Sequence, residues 1–106
     1  MGGRLDGKTA VVIGAAQGIG AGIAEVMAEQ GARLVIADRN ADVGQETAER
    51  LNRHSPSIFV QADVSKKADM VAVASTALER FGRIDILCQN AGIFPYHLID
   101  EMRMSE

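Results

Sequence analysis

The chain has 106 residues, 47% apolar and 24% charged, with a net charge of -3. That length holds one domain with a modest core, and the composition is that of a folded chain rather than a disordered one. The charge balance offers no basic face, which argues against nucleic acid or an anionic membrane surface as partner and leaves a small molecule as the expected ligand.

The first eight residues, MGGRLDGK, lack the apolar segment of a secretory signal, so a cytoplasmic location is expected. Met1-Gly2 does not open a myristoylation motif, because Asp6 stands where Ser or Thr is required. Thr9–Ile13 is a continuous apolar, β-rich run, as expected of a strand buried on both faces. From Ile19 a helix is expected, with Ile23, Val26 and Met27 at helical spacing and Gly31 as its stop. Arg33–Asp38 (RLVIAD) reads as a second strand, and 42–52 as a second helix with a thin stripe of Val43, Ala48 and Leu51.

Ser57–Gln61 reads as a short third strand. Ser65 is placed to cap a third helix whose stripe is Met70, Val73, Ala74, Ala77, Leu78 and Phe81, ending at Gly82. Residues 84–89 (IDILCQ) form a fourth strand, and its Cys88, the one cysteine, reads as core; a single cysteine excludes an internal disulfide and a cysteine zinc cluster. The remainder, NAGIFPYHLIDEMRMSE, reads as irregular, with Ser105-Glu106 resembling the opening of another helix. Domains usually end in exposed linkers, so the chain is expected to be truncated or proteolysed.

Alternating strands and helices imply right-handed crossovers and a parallel sheet. The expected fold class is α/β, a Rossmann-type three-layer fold with strand order 3-2-1-4. In that order the fourth strand is an edge, which favours self-association.

Four glycines, Gly14, Gly18, Gly20 and Gly22, crowd the passage from first strand to first helix. Bare backbone at this point suits close approach of a ligand to main-chain N–H groups at the positive end of a helix, and phosphate is the natural occupant. A tight turn that only packs helix on strand is the alternative. Asp38 ends the second strand 18 positions after Gly20, near the spacing at which a carboxylate meets a ribose hydroxyl pair. Asp63 and Asn90 occupy the carboxyl ends of the third and fourth strands, where open α/β sheets bind ligands.

With Gly14-x-x-x-Gly18-Ile19-Gly20 inside GKTAVVIGAAQGIG (7–20), ADV (62–64) and NAG (90–92), the chain resembles the short-chain dehydrogenases/reductases over essentially its whole length. It departs at Ile13, where that family usually has Thr. The resemblance implies an NAD(P)-binding Rossmann fold and hydride transfer between cofactor and an alcohol or ketone. It puts Gly14, Gln17, Gly18, Ile19 and Gly20 around the pyrophosphate and nicotinamide side, and Asp38 on the adenosine ribose beside Arg39. Asp63 and Val64 are implied at the adenine, with Asn90, Ala91 and Gly92 lining the cofactor and holding the fourth strand. NAD is expected over NADP, because the Asp38 carboxylate repels a 2'-phosphate that Arg39 only partly offsets. Members are commonly dimers or tetramers, so a homo-oligomer is expected.

The family works with a Tyr followed four residues later by Lys. The one tyrosine here, Tyr96, has Asp100 at that distance, and no lysine follows Lys67. A carboxylate beside the phenol holds it neutral, the opposite of what a proton-transfer group requires. No catalytic residue is therefore assigned. His54 and His97 lack metal-ligand spacing and read as surface or loop residues, His97 in the segment where the family's substrate pocket begins.

The chain thus reads as the cofactor-binding half of an NAD(P)-dependent oxidoreductase. A non-catalytic nucleotide-binding or assembly module ending natively near Glu106 is the alternative. A methyltransferase using S-adenosylmethionine shares the glycine turn and ribose-binding acid, but the glycine spacing and Asn90-Ala91-Gly92 argue against it.

Overall fold

The computed structural model describes residues 3–15, 18–63 and 65–89, together with the backbone of Gly92–Pro95. Strands β1 (Thr9–Ile13), β2 (Arg33–Asp38), β3 (Ser57–Gln61) and β4 (Ile86–Gln89) lie parallel in the order β3-β2-β1-β4. Helices α1 (Gly18–Glu29), α2 (Ala41–Leu51) and α3 (Lys67–Phe81) make the crossovers.

Strand periodicity divides the core between the two faces of the sheet. Ala10 and Val12 of β1, Leu34 and Ile36 of β2 and Cys88 of β4 pack with Ala24, Met27 and Ala28 of α1 and with Ala48 and Leu51 of α2. Val11, Ile13, Val35, Ala37 and Leu87 pack on the other face against Val73, Ala74 and Ala77 of α3. Both faces are covered, so β1 and β2 carry unbroken apolar runs. This is the three-layer Rossmann-type arrangement expected from the sequence.

Several boundaries and faces differ from the sequence reading. In α1 the buried residues are Gly20, Ala21, Ala24, Met27 and Ala28, whereas Val26 is 58% exposed. Val26 lies two residues past Ala24, roughly 200° around the helix, so the small residues and Met27 form the packing stripe. Asn40 starts α2 by accepting the Val43 N–H on its side chain at 3.1 Å. Ser65 does not cap α3. Lys66 is the N-cap, without a side-chain cap bond, and the Ser65 hydroxyl donates to Asp63 at 2.7 Å. Such local side-chain bonds compete with capping for the same hydroxyl.

Ile84 and Asp85 precede β4 rather than belonging to it. Asp85 N–H donates to the Thr9 carbonyl, and the Asp85 carboxylate accepts the Thr9 N–H at 2.9 Å, so a side chain takes a bond that a strand carbonyl would otherwise make. The stretch read as irregular contains β5 (Gly92–Pro95), antiparallel to β4, from Gln89 opposite Gly92 to Ile86 opposite Pro95. β4 is therefore not an edge: its free backbone groups are taken by the segment that follows it.

Candidate functional site

The register brings the strand ends to one rim. Ile13 is level with Ala37, Asp38 with Gln61, and Val12 with Cys88. Gly14, Asp38, Gln61 and Gln89 therefore finish together at the carboxyl edge of the sheet, where open α/β folds bind ligands. Two bonds carry the pairing one step beyond the strands, Gly14 N–H to the Ala37 carbonyl at 2.8 Å and Ala62 N–H to the Asp38 carbonyl at 2.9 Å.

The glycines of the turn have separate reasons. Gly14 and Gly18 have φ of 78° and 69°, a region that costs a residue with a Cβ free energy. Gly20 is a close approach: a Cβ there would run into the Gly14 carbonyl, with the carbonyl carbon at 2.9 Å and Ala15 Cα at 3.0 Å. The first turn of α1 is thus pressed against the exit of β1. At Gly18 a Cβ would meet nothing within 4 Å among the described residues. No acidic residue stands in the first turn of α1, so the helix brings no carboxylate of its own to its positive end at the rim. A helix start free of acids and entered through glycines fits a phosphate group, and Gly14, Gly18, Gly20 and Asp38 fit the dinucleotide implied by the sequence.

Beside this turn lies an apolar cavity of about 150 Å³, walled by Val12, Ile13, Ile19, Gly20, Ile23, Cys88 and Gln89. Ile19 is 82% exposed at its mouth, and burial pushes the Cys88 thiol up from its ordinary value.

On the other side of Asp38 is a polar cleft of about 380 Å³ walled by Arg39, Gln61, Ala62, Asp63 and Asp69. Asp38 itself is half-buried at the end of β2, between the two spaces, and its carboxylate accepts the Asn40 N–H at 3.0 Å. The Gln61 side-chain amide donates to the Arg39 carbonyl at 3.1 Å. Asp63 Oδ1 accepts the Ser65 hydroxyl at 2.7 Å and the Ser65 N–H at 2.9 Å. These two bonds, hydroxyl first, with the charges of Arg39 and Lys66, hold the Asp63 carboxyl below its usual range against the opposing effect of desolvation.

Among the residues assigned from sequence, Gly14, Gly18, Ile19 and Gly20 come together at the turn, and Asp38, Arg39 and Asp63 stand at the neighbouring strand ends. Gly92 opens β5, paired with Gln89. Gln17, Val64, Asn90 and Ala91 lie outside the described residues, as do Tyr96, His97 and Asp100. His54 is exposed between α2 and β3, at the far end of the sheet from the rim. Gln61, Asp69, Ile23, Cys88 and Gln89 were not assigned to the site from sequence. For Asp69 the signal was an acid in the first turn of a helix, where it meets free N–H groups. No helix among the described residues is long and apolar enough to cross a membrane.

A model of the short chain dehydrogenase family matches residues 8–106. Tropinone reductase-like 1 of Erythroxylum coca is 43% identical over 90 residues, 85% of this chain and 32% of that protein. Trans-4-hydroxycyclohexanecarboxylate dehydrogenase of Sinomonas cyclohexanicum is 37% identical over 110 residues, 97% of this chain and 42% of that protein. The crystal structure of a short chain dehydrogenase/reductase from Burkholderia phymatum in complex with NAD superposes with a TM-score of 0.77 at 39% identity, covering 79% of this chain and 30% of that one. The chain spans about a third of the length of the first of these curated relatives.

Proposed function

This chain belongs to the short chain dehydrogenase family, and on that premise we propose that it supplies the NAD-binding portion of an oxidoreductase that interconverts an alcohol and a ketone or aldehyde. The observation that carries the reading is the contact of Gly20 on the Gly14 carbonyl, which sets the start of α1 at the rim that Asp38 shares. Support for NAD comes from the Burkholderia phymatum neighbour, crystallised with it.

In this reading the backbone N–H groups at the start of α1 hold the pyrophosphate, with Gly14, Gln17, Gly18 and Ile19 around it. Asp38 accepts from the ribose hydroxyls. Its charge opposes a 2'-phosphate by roughly 1 to 4 kcal/mol per charge pair at about 4 Å, and a phosphate of about -1.5 to -2 brings the total to at least about 1.5 kcal/mol, enough for at least a tenfold preference for NAD over NADP. Asp63, kept ionised by Ser65, accepts from the amino group of the adenine, flanked by Val64. Asn90, Ala91 and Gly92 line the cofactor along the end of β4. NAD, when bound, supplies the hydride acceptor.

Reduction of a ketone also needs a proton donor and a wall that holds the substrate in place. With Asp100 four residues after it, Tyr96 is given no part in proton transfer. In this reading the donor and the substrate wall come from the rest of a full-length protein, a homo-oligomer as a whole. The test is NADH formation with a panel of secondary alcohols, run on this chain and on a full-length protein carrying a Tyr-x-x-x-Lys. Turnover is expected from the longer protein alone. Turnover by residues 1–106, abolished by Tyr96→Phe, would overturn the assignment.

A further inference from the structure

We propose that Asp69 is a positioning residue for the purine end of the dinucleotide, holding the Asp63 main chain while Ser65 holds the Asp63 side chain, so that the acceptor offered to the base is fixed in advance. The proposal rests on the cofactor reading above and deepens it.

Sheet pairing stops just before Asp63. Ala62 N–H is the last to reach a neighbouring strand, at the Asp38 carbonyl, and the chain then leaves the ladder. Asp63 N–H goes instead to Asp69 Oδ2 at 2.8 Å, six residues ahead in the first turn of α3. In a capping box an acid three residues into the helix bonds the N–H of its own N-cap. Here the N-cap is Lys66, and its N–H is already used by the Asp63 carbonyl at 3.0 Å. Asp69 reaches past the N-cap to Asp63. The turn from Asp63 to Lys66 is thereby closed at both ends, by the Lys66 N–H on one side and the Asp69 carboxylate on the other.

The same two acids wall the polar cleft with Arg39, Gln61 and Ala62. Both Ser65 donors lie on Oδ1 of Asp63, which fixes the plane of that carboxylate. A carboxylate fixed in this way accepts from the amino group at the 6-position of adenine and meets the lone pairs of a 6-oxo purine. Such discrimination depends on placement within about 0.5 Å, which a turn free to relax does not keep. Asp69 acts through Asp63 and needs no contact with the base itself.

The experiment titrates the chain with NADH and with reduced nicotinamide hypoxanthine dinucleotide, which differs in carrying a 6-oxo group, following cofactor fluorescence. Thermal melts of each variant run alongside. The wild type is expected to prefer NADH. Asp69→Ala lowers that preference about tenfold, whereas Asp69→Asn, which keeps an acceptor oxygen, stays within about twofold of wild type. Ser65→Ala, at an exposed position, lowers the preference as well and serves if Asp69→Ala does not fold. An unchanged preference in Asp69→Ala or Ser65→Ala overturns the positioning role and leaves the cofactor reading standing. A preference that collapses equally in Asp69→Asn overturns it too, by making charge rather than the hydrogen bond responsible. A wild type that binds neither dinucleotide sinks the cofactor reading itself.

Discussion

Replacing Gly20 by Ala tests the close approach on which the site is built. In an exposed helix position the change from Gly to Ala stabilises by about 1 kcal/mol. At Gly20 the new Cβ would strike the Gly14 carbonyl, with its carbon at 2.9 Å and Ala15 Cα at 3.0 Å, all main-chain atoms that no side-chain rotation can clear. Overpacking of this kind costs about 1 to 3 kcal/mol, and contact with backbone belongs at the upper end. The net loss is then about 2 kcal/mol, or a Tm lower by about 8 to 16 °C in a domain of this size. Gly22→Ala is the control on the same helix, exposed and with nothing within 4 Å of a Cβ. It should gain about 0.5 to 1 kcal/mol and raise Tm by about 2 to 8 °C. Both shifts are read from far-ultraviolet circular dichroism melts, and NADH titration should show weaker binding for Gly20→Ala alone. A Gly20→Ala protein that melts with or above wild type would refute the close contact between α1 and the exit of β1.

Asp85 should link stability to pH. Burial raises its carboxyl, but hydrogen bonds from Arg83 and Thr9 and the charges of Arg83 and Lys8 outweigh this and hold it below its ordinary 3.8. Its contribution is therefore present above about pH 4 and lost as pH falls through the lowered value. Asp85→Ala leaves the buried Thr9 N–H without its acceptor, so urea unfolding at neutral pH should report a loss of about 1 to 3 kcal/mol that shrinks in acid; a difference constant down to about pH 3 would contradict this. Cys88, 3% exposed with its thiol raised by burial, should react with a chromogenic disulfide far more slowly in the native chain than in denaturant, and equal rates would contradict its place in the core.

The parts legible in the sequence are those whose pattern has one physical cause. β1, β2 and β3 match their expected limits because a strand covered on both faces reads as an unbroken apolar run closed by a polar or glycine residue. The strand order follows from the crossovers. The face of α1 was misread because Gly20, Ala21, Ala24 and Ala28 do most of the packing and small residues carry little apolar signal beside Ile23 and Val26. Ser65 looked like a cap from its type and position, yet the Asp63 carboxylate two residues before it takes its hydroxyl. β5 pairs with the strand directly before it, but its four residues, GIFP, are too short for an alternating period and end on a proline, so no strand pattern announces it. In the candidate site, Gly14, Gly18, Gly20, Asp38 and Asp63 stood out because few other residues fit a bare turn or an acid at a strand end. Asp69 did not, since an acid in a first helix turn points to the N–H groups of its own helix and not back across a turn to the Asp63 N–H.

On the proposed reading, the rim formed by the glycine turn and Asp38 binds a nicotinamide dinucleotide and rejects a phosphate on its ribose. Calorimetric titration of the chain with NADH and, separately, with NADPH tests it most directly. Saturable binding of one dinucleotide per chain is expected, at least tenfold stronger for NADH. No saturable binding of NADH, or binding of NADPH as tight or tighter, would contradict it.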